Sequence, residues 1–187
     1  MEILTVSLRA TILTLVLTGI AYPLLVTGLA QTIFPRQANG SLVADRGGRA
    51  IGSELIGQGF SRPVYFTGRL SAAGPKGWDA AASGGSNLAV TSRKLRERVD
   101  HDVRALGGAE TPDDLVTTSG SGLDPDISPA AARWQIARVA RARGVDEARV
   151  ATIVDAQIEG RQLGMLGEAR VNVLLLNLAL DAQLGVP

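Results

Sequence analysis

The sequence predicts an α+β protein: one N-terminal transmembrane helix followed by a single compact α+β domain. Three observations carry that prediction. Residues 10–35 contain no charged side chain. Short β-branched and aromatic stretches bounded by glycine come early, as strands do. Apolar residues at helical spacing, opened by capping residues and closed by glycine, come late.

The charge-free stretch runs from Ala10 to Pro35. As one helix it would be about 39 Å long at roughly 1.5 Å per residue, against about 30 Å of bilayer hydrocarbon. It divides the chain into a short cytoplasmic N-terminus (1–9), a transmembrane helix (10–35) and a soluble domain (36–187). A cleaved signal peptide is the competing reading, with Arg9 as its basic start and Gly28-Leu29-Ala30 as a weak cleavage site. Its apolar region is usually only about 7–15 residues long, so length favours a retained anchor. Thr11, Thr14, Thr18 and Ala21 share one face. They either let a second helix pack closely in lipid or bond their own backbone. Pro23 removes a backbone donor and predicts a kink, tolerated best under a neighbouring helix. Arg36, Arg46 and Arg49 outnumber Arg9 across the anchor. Long domains cross membranes largely regardless of charge, so charge leaves orientation open.

The elements follow in order. Residues 35–40 form a polar exit, and Asn39-Gly40-Ser41 is a lone glycosylation sequon. Leu42-Val43 and Ala50-Ile51 flank Asp45 to Arg49, whose paired glycines predict a β-hairpin. Glu54 to Gln58 extends its second strand or begins a turn. Val64-Tyr65-Phe66 reads as another strand. Gly68 to Ser86 is a long small-residue loop, of a length that is usually functional or mobile. Leu88, Leu95, Val99, Val103 and Leu106 predict a helix capped by Thr91 and ended at Gly107-Gly108. Leu115 to Thr118 reads as a short strand. Ser128 before Pro129 starts a helix to about Arg143, with Ala132, Ile136, Val139 and Ala140 as its buried stripe and Gly144 as its stop. Asp146 caps the next helix, which buries Val150, Ile153 and Val154 and ends by Gly160. Gly164 to Gly167 is a turn. Arg170 to Val173 leads into an apolar helix, Leu174 to Leu184, too short to span a bilayer.

Composition excludes several chemistries. The 187 residues carry a net charge of +1, so no strong field draws nucleic acid. Cysteine is absent and His101 is the one histidine, which removes thiolate catalysis and multi-histidine metal sites. His101, beside Asp100 and Asp102, reads as a solvated surface residue. No Gly-Lys pair exists for a phosphate-binding loop, and no Gly-x-Ser-x-Gly elbow. An Asp-Lys-Thr-Gly stretch is absent too.

Two stretches remain as candidate sites. Ser83, Gly84, Gly85, Ser86 and Asn87 precede a helix, where glycine-freed N–H groups can face an anion. The stretch superficially resembles the Ser-Gly-Gly signature of ABC-type ATPases, which touches nucleotide phosphate. An ordinary glycine-rich helix entry is the commoner meaning of such a loop. In Ser119, Gly120, Ser121, Gly122, Leu123, Asp124, Pro125 and Asp126, the two aspartates either work as an acid–base pair or cation site, or bond their own backbone in a turn. So many special residues demand one particular loop shape.

These residues together resemble the C subunit of the Kdp potassium-transporting ATPase over essentially the whole chain. The resemblance rests on the single anchor, Gly52 to Gln58, Tyr65-Phe66, Ser71-Ala72-Ala73-Gly74, Ser83 to Asn87, Asp114 to Thr117, Ser119 to Pro125 with Ile127 to Ala131, Val171-Asn172-Val173, and Asn177 to Asp181. Leu70 stands where that family usually has proline, Trp78 where tyrosine is usual, and Asp126 where histidine is usual. The resemblance implies a non-catalytic accessory subunit of the bacterial inner membrane, needed for assembly and activity of a potassium importer. It implies two partners besides lipid: a channel-like potassium-binding subunit and a P-type ATPase subunit. It implies no firmly bound cofactor or metal, with ATP met only through the complex. The family's proposed nucleotide-contacting motif falls on Ser83 to Asn87, which would make the chain a catalytic chaperone for ATP. The family's topology instead places the domain in the periplasm, over the potassium entrance. A domain across the membrane from ATP cannot touch it, and the topology is the stronger implication. The remaining alternative is an independent anchored enzyme using Asp124 and Asp126.

Overall fold

The computed structural model describes every residue except Arg46, Ala109 and Pro187. The chain divides after Ile51 into two compact units.

The first unit is dominated by an apolar rod, Glu2–Ile33, with a mean hydropathy of 2.0 over its most apolar window and no buried residue in that window. It is built of α1 (Glu2–Val16), a π-helical turn (Leu17–Ala21) and α2 (Tyr22–Ile33). The π turn sits immediately before Pro23 for a steric reason. Proline has no N–H and its ring collides with the carbonyl four residues back. The Tyr22 N–H instead reaches the Leu17 carbonyl, five residues back, and the helix widens there rather than breaking. The hydroxyls of Thr14, Thr18 and Thr32 turn inward on the rod itself. Thr14 donates to the Ala10 carbonyl at 2.9 Å, Thr18 to the Thr14 carbonyl at 2.7 Å and Thr32 to the Gly28 carbonyl at 2.7 Å. In apolar surroundings that satisfies each hydroxyl without a partner helix. The polar exit after the rod is a single helical turn, α3 (Pro35–Ala38), followed by the expected hairpin of β1 (Leu42–Ala44) and β2 (Ala50–Ser53).

The second unit is an α+β domain. Its helices are α4 (Arg93–Leu106), α5 (Asp113–Val116), α6 (Pro129–Arg143), α7 (Glu147–Ala156) and α8 (Val173–Leu184). Its sheet is antiparallel, in the order β3 (Asp126–Ile127), β5 (Arg170–Asn172), β4 (Ile158–Glu159), with Val171 opposite both Ile127 and Ile158. The caps fall where the sequence puts them. Ser128 accepts from the Ala131 N–H at 3.0 Å, and Asp146 accepts from the Ala148 N–H at 2.9 Å. Gly144 closes α6 in the left-handed conformation. Val139, Ala140, Val150, Val154, Leu176 and Leu180 pack with Phe66 and Val171 into one core.

Four local expectations are corrected. Val64 to Phe66 is not a strand. The Asn177 amide accepts from the Phe66 N–H at 2.8 Å and donates to its carbonyl at 3.0 Å, and the Gln135 amide does the same for Thr67 at 2.9 and 3.0 Å. Side chains of α8 and α6 thus stand in for a neighbouring strand. Leu115 to Thr118 is the short helix α5 and its exit, with Leu115 and Val116 buried and Thr118 bridged to Leu70. The helix after the glycine-rich loop begins at Arg93, after Ser92, leaving Leu88 and Thr91 outside it. Finally, α7 ends at Ala156 rather than near Gly160, which frees Ile158 and Glu159 to form β4.

Candidate functional site

The glycine and serine stretches far apart in sequence come together in one knot of loops. Ser71 is its hub. Its hydroxyl donates to the Gly122 carbonyl at 2.5 Å and accepts from the N–H groups of Ala73 at 3.1 Å and Trp78 at 2.7 Å. The Gly84 N–H and the Ser83 hydroxyl both donate to the Ser121 carbonyl, at 2.8 and 3.0 Å. The Gly57 N–H donates to the Leu123 carbonyl at 2.8 Å. The strands of backbone lie so close that side chains do not fit between them. A Cβ on Gly122, whose φ is +68°, would come within 2.6 Å of the Gly84 carbonyl oxygen. One on Gly57 would come within 2.5 Å of the Asp124 carbonyl oxygen. These glycines are needed for close backbone approach. The long loop from Gly68 is therefore tied down at Ser71, Ala73, Trp78 and Gly84.

Ser83 to Asn87 thus meets Ser119 to Gly122, but not the start of a helix. Five residues separate Asn87 from the first residue of α4, and the Gly84 N–H that an anion would need is already committed. Asn87 is exposed, with a positive φ of 50°.

Asp124 and Asp126 each answer a different arginine. Asp124 meets the Arg69 guanidinium at 3.2 Å and accepts from the Asp126 N–H at 3.0 Å. Arg69 also reaches the Thr117 hydroxyl at 3.3 Å. Asp126 meets Arg170 at 3.3 Å, and Arg170 in turn holds Glu159 at 2.9 Å. Burial pushes the Asp126 carboxyl above the ordinary aspartate range, outweighing the opposing charge of Arg170, while Asp124 and Glu159 add to the rise. Both aspartates are thus occupied as structural ion pairs. Among the described residues no group of three or more His, Asp or Glu is placed to hold a metal. His101 is exposed and lies 3.1 Å from Asp102.

A second polar cluster was not singled out by sequence reasoning. Arg143, 2% exposed in its side chain, pairs with Asp181 at 2.7 Å, donates to the Val64 carbonyl at 2.8 Å and lies 5.1 Å over the Tyr65 ring. The Tyr65 hydroxyl donates to Asp181 at 2.9 Å. Burial, and then the Asp181 carboxylate, push the Tyr65 phenol above its ordinary value. The signal for this cluster was present as Asp181, a charged residue interrupting an apolar helix. Ser71 was legible only as part of the Ser71 to Gly74 match, and Arg69, which ties the loop knot to Asp124, carried no signal of its own.

A family model described as KdpC: K+-transporting ATPase, c chain, matches residues 4–182. The chain belongs to the KdpC family. It is thereby an accessory subunit of a potassium-transporting ATPase complex. A potassium-transporting ATPase KdpC subunit of Myxococcus xanthus is 59% identical over 185 residues, covering 96% of this chain and 87% of that protein. Another so named, from Caulobacter vibrioides (strain NA1000 / CB15N), is 57% identical over 172 residues, covering 90% and 87%. A third, from Koribacter versatilis, is 52% identical over 188 residues, covering 98% and 96%. KdpC membership and the apolar rod Glu2–Ile33 together make this a membrane-anchored chain.

Proposed function

We propose that the chain is a non-catalytic, single-pass subunit of a potassium-importing ATPase of the bacterial inner membrane. Its rod, with residues 10–35 in the bilayer, packs on the channel-like subunit. Its domain lies in the periplasm over the potassium entrance, and it is required for assembly and activity of the complex. It holds no nucleotide itself, and ATP is met by the P-type ATPase subunit alone.

The observation that carries this reading is the use of Ser83 to Gly84 as a structural seam. Their hydroxyl and N–H are spent on the Ser121 carbonyl, and no helix N-terminus adjoins them. The paired states of Asp124 and Asp126 support the absence of acid–base chemistry. An influence on the ATPase then passes through the rod, if the pump cycle biases two arrangements of it. A reporter enzyme that works only outside the cytoplasm, fused after Pro187, tests the placement. Activity is expected; a fusion that is expressed and membrane-inserted but inactive overturns the entrance-cap reading.

A further inference from the structure

The hairpin between β4 and β5 carries an apolar tip that nothing in the chain covers. Leu163 is 87% exposed, Met165 75% and Leu166 58%. The tip is nonetheless fixed in shape. The Gln162 N–H donates to the Leu166 carbonyl at 2.9 Å, and the Leu166 N–H to the Gln162 carbonyl at 2.9 Å. At its base Arg161 holds Glu168 through both carboxylate oxygens, at 2.8 and 2.6 Å. Leu163 has a φ of 53°, in the left-handed region that a bulky residue enters only at a cost. Three large apolar side chains are thus held out into solvent in one strained arrangement.

The surroundings say what kind of surface covers them. Glu168 also lines an open groove of about 340 Å³ together with Asp113, Asp114, Asp124 and Asp126. Two guanidiniums, of Arg69 and Arg170, share that groove, and among the described residues Asp113 and Asp114 pair with no cation. The tip therefore rises beside a net-negative face. An anionic bilayer surface is repelled by such a face, and fluid lipid gives no reward for a strained shape. A protein surface can match both features.

We infer that Leu163, Met165 and Leu166 form a plug that seats in an apolar socket on a partner subunit of the transport complex, and that the socket is rimmed by Lys or Arg facing the acidic groove. Burying three such side chains takes apolar surface out of water and favours association, and the charged rim fixes register and speeds encounter. This rests on the proposed assembly with Kdp-type partners and names the surface used.

Photo-crosslinking of the purified complex in nanodiscs tests it, with p-benzoylphenylalanine at position 163 in the full chain. The expected product joins this chain to a partner subunit, at a peptide containing apolar and basic residues. Crosslinks to lipid alone, or none in an intact complex, overturn the inference. In parallel, Leu163→Glu with Met165→Glu is expected to lower co-purification of the partner subunits at least tenfold, with an unchanged unfolding midpoint of the full chain. Asp113→Asn is expected to make the complex dissociate at lower salt. Co-purification of the double variant at the unsubstituted level overturns the plug. Failure of the unsubstituted chain to co-purify with any partner instead overturns the assembly on which it rests.

Discussion

At Gly122 the difference between a hydrogen and a methyl group decides whether two loops can touch. Its φ of +68° already disfavours any other residue, and the added Cβ would meet backbone atoms of Gly84 and Ala73 at 2.6 and 2.7 Å. Backbone cannot rotate away as a side chain can. Gly122→Ala is therefore expected to cost roughly 2–4 kcal/mol, the sum of left-handed strain and forced loop separation. The denaturant midpoint of the full chain in micelles reads it; an unchanged midpoint would mean the knot is loose. Asp126 makes a different prediction at the same scale. Its carboxyl binds a proton more tightly in the fold than in the unfolded chain, because burial opposes its charge. The stability linked to it is complete below the ordinary aspartate value and is lost as pH rises through the raised one. Asp126→Asn removes that dependence. The stability of the unsubstituted chain relative to this variant is thus expected to fall as pH climbs from about 4. A relative gain over the same window would show that pairing with Arg170 outweighs burial.

Among elements, the long helices were readable in the sequence, while the short helix α5 and several short extended segments were not. Ser128, Gly144 and Asp146 act within a turn of themselves, so local sequence contains the whole cause of α6 and of the start of α7. Val64 to Thr67 differs because its hydrogen bonds come from far away. Its partner Asn177 lies 111 residues from Phe66, and Gln135 lies 68 from Thr67. Pattern alone gave it strand residues; the chain supplied amide side chains where a strand would pair. Nor does β4 announce itself, since Ile158 and Glu159 take their state from Val171 and Arg170 across the sheet. Asn177→Leu tests the clamp. It keeps the branched outline of the side chain, with somewhat more bulk, but orphans the buried N–H and carbonyl of Phe66, each costing about 1–3 kcal/mol. A loss of roughly 2–5 kcal/mol is expected, seen as a lowered unfolding midpoint with the helical signal retained before unfolding. A loss below about 1 kcal/mol would mean that water replaces the amide.

Over the whole molecule, the sequence made the anchor and the domain legible, since both follow from composition along the chain. It did not reveal that Ser71, Ser83 to Gly85 and Ser119 to Gly122 form one structure, because glycine and serine carry no hydrophobic pattern that reports pairing. That juxtaposition decides how the Ser83 to Asn87 motif acts. If the motif cradled a phosphate, a bulky residue at Gly85 would weaken ATP binding while leaving the subunits assembled. If it is a seam, the same residue pushes the loops apart: a Cβ there lies 3.1 Å from the Gly120 carbonyl oxygen and 3.5 Å from that of Ser119. A branched side chain worsens both contacts. Gly85→Val is therefore expected to lower the yield of assembled complex several-fold and the unfolding midpoint of the full chain, while the KM for ATP of the complex that does assemble stays within about twofold. Each effect belongs to one reading, so one preparation separates them. A full yield of complex with a tenfold higher KM for ATP would transfer the motif to the nucleotide, and with it the domain to the cytoplasmic side.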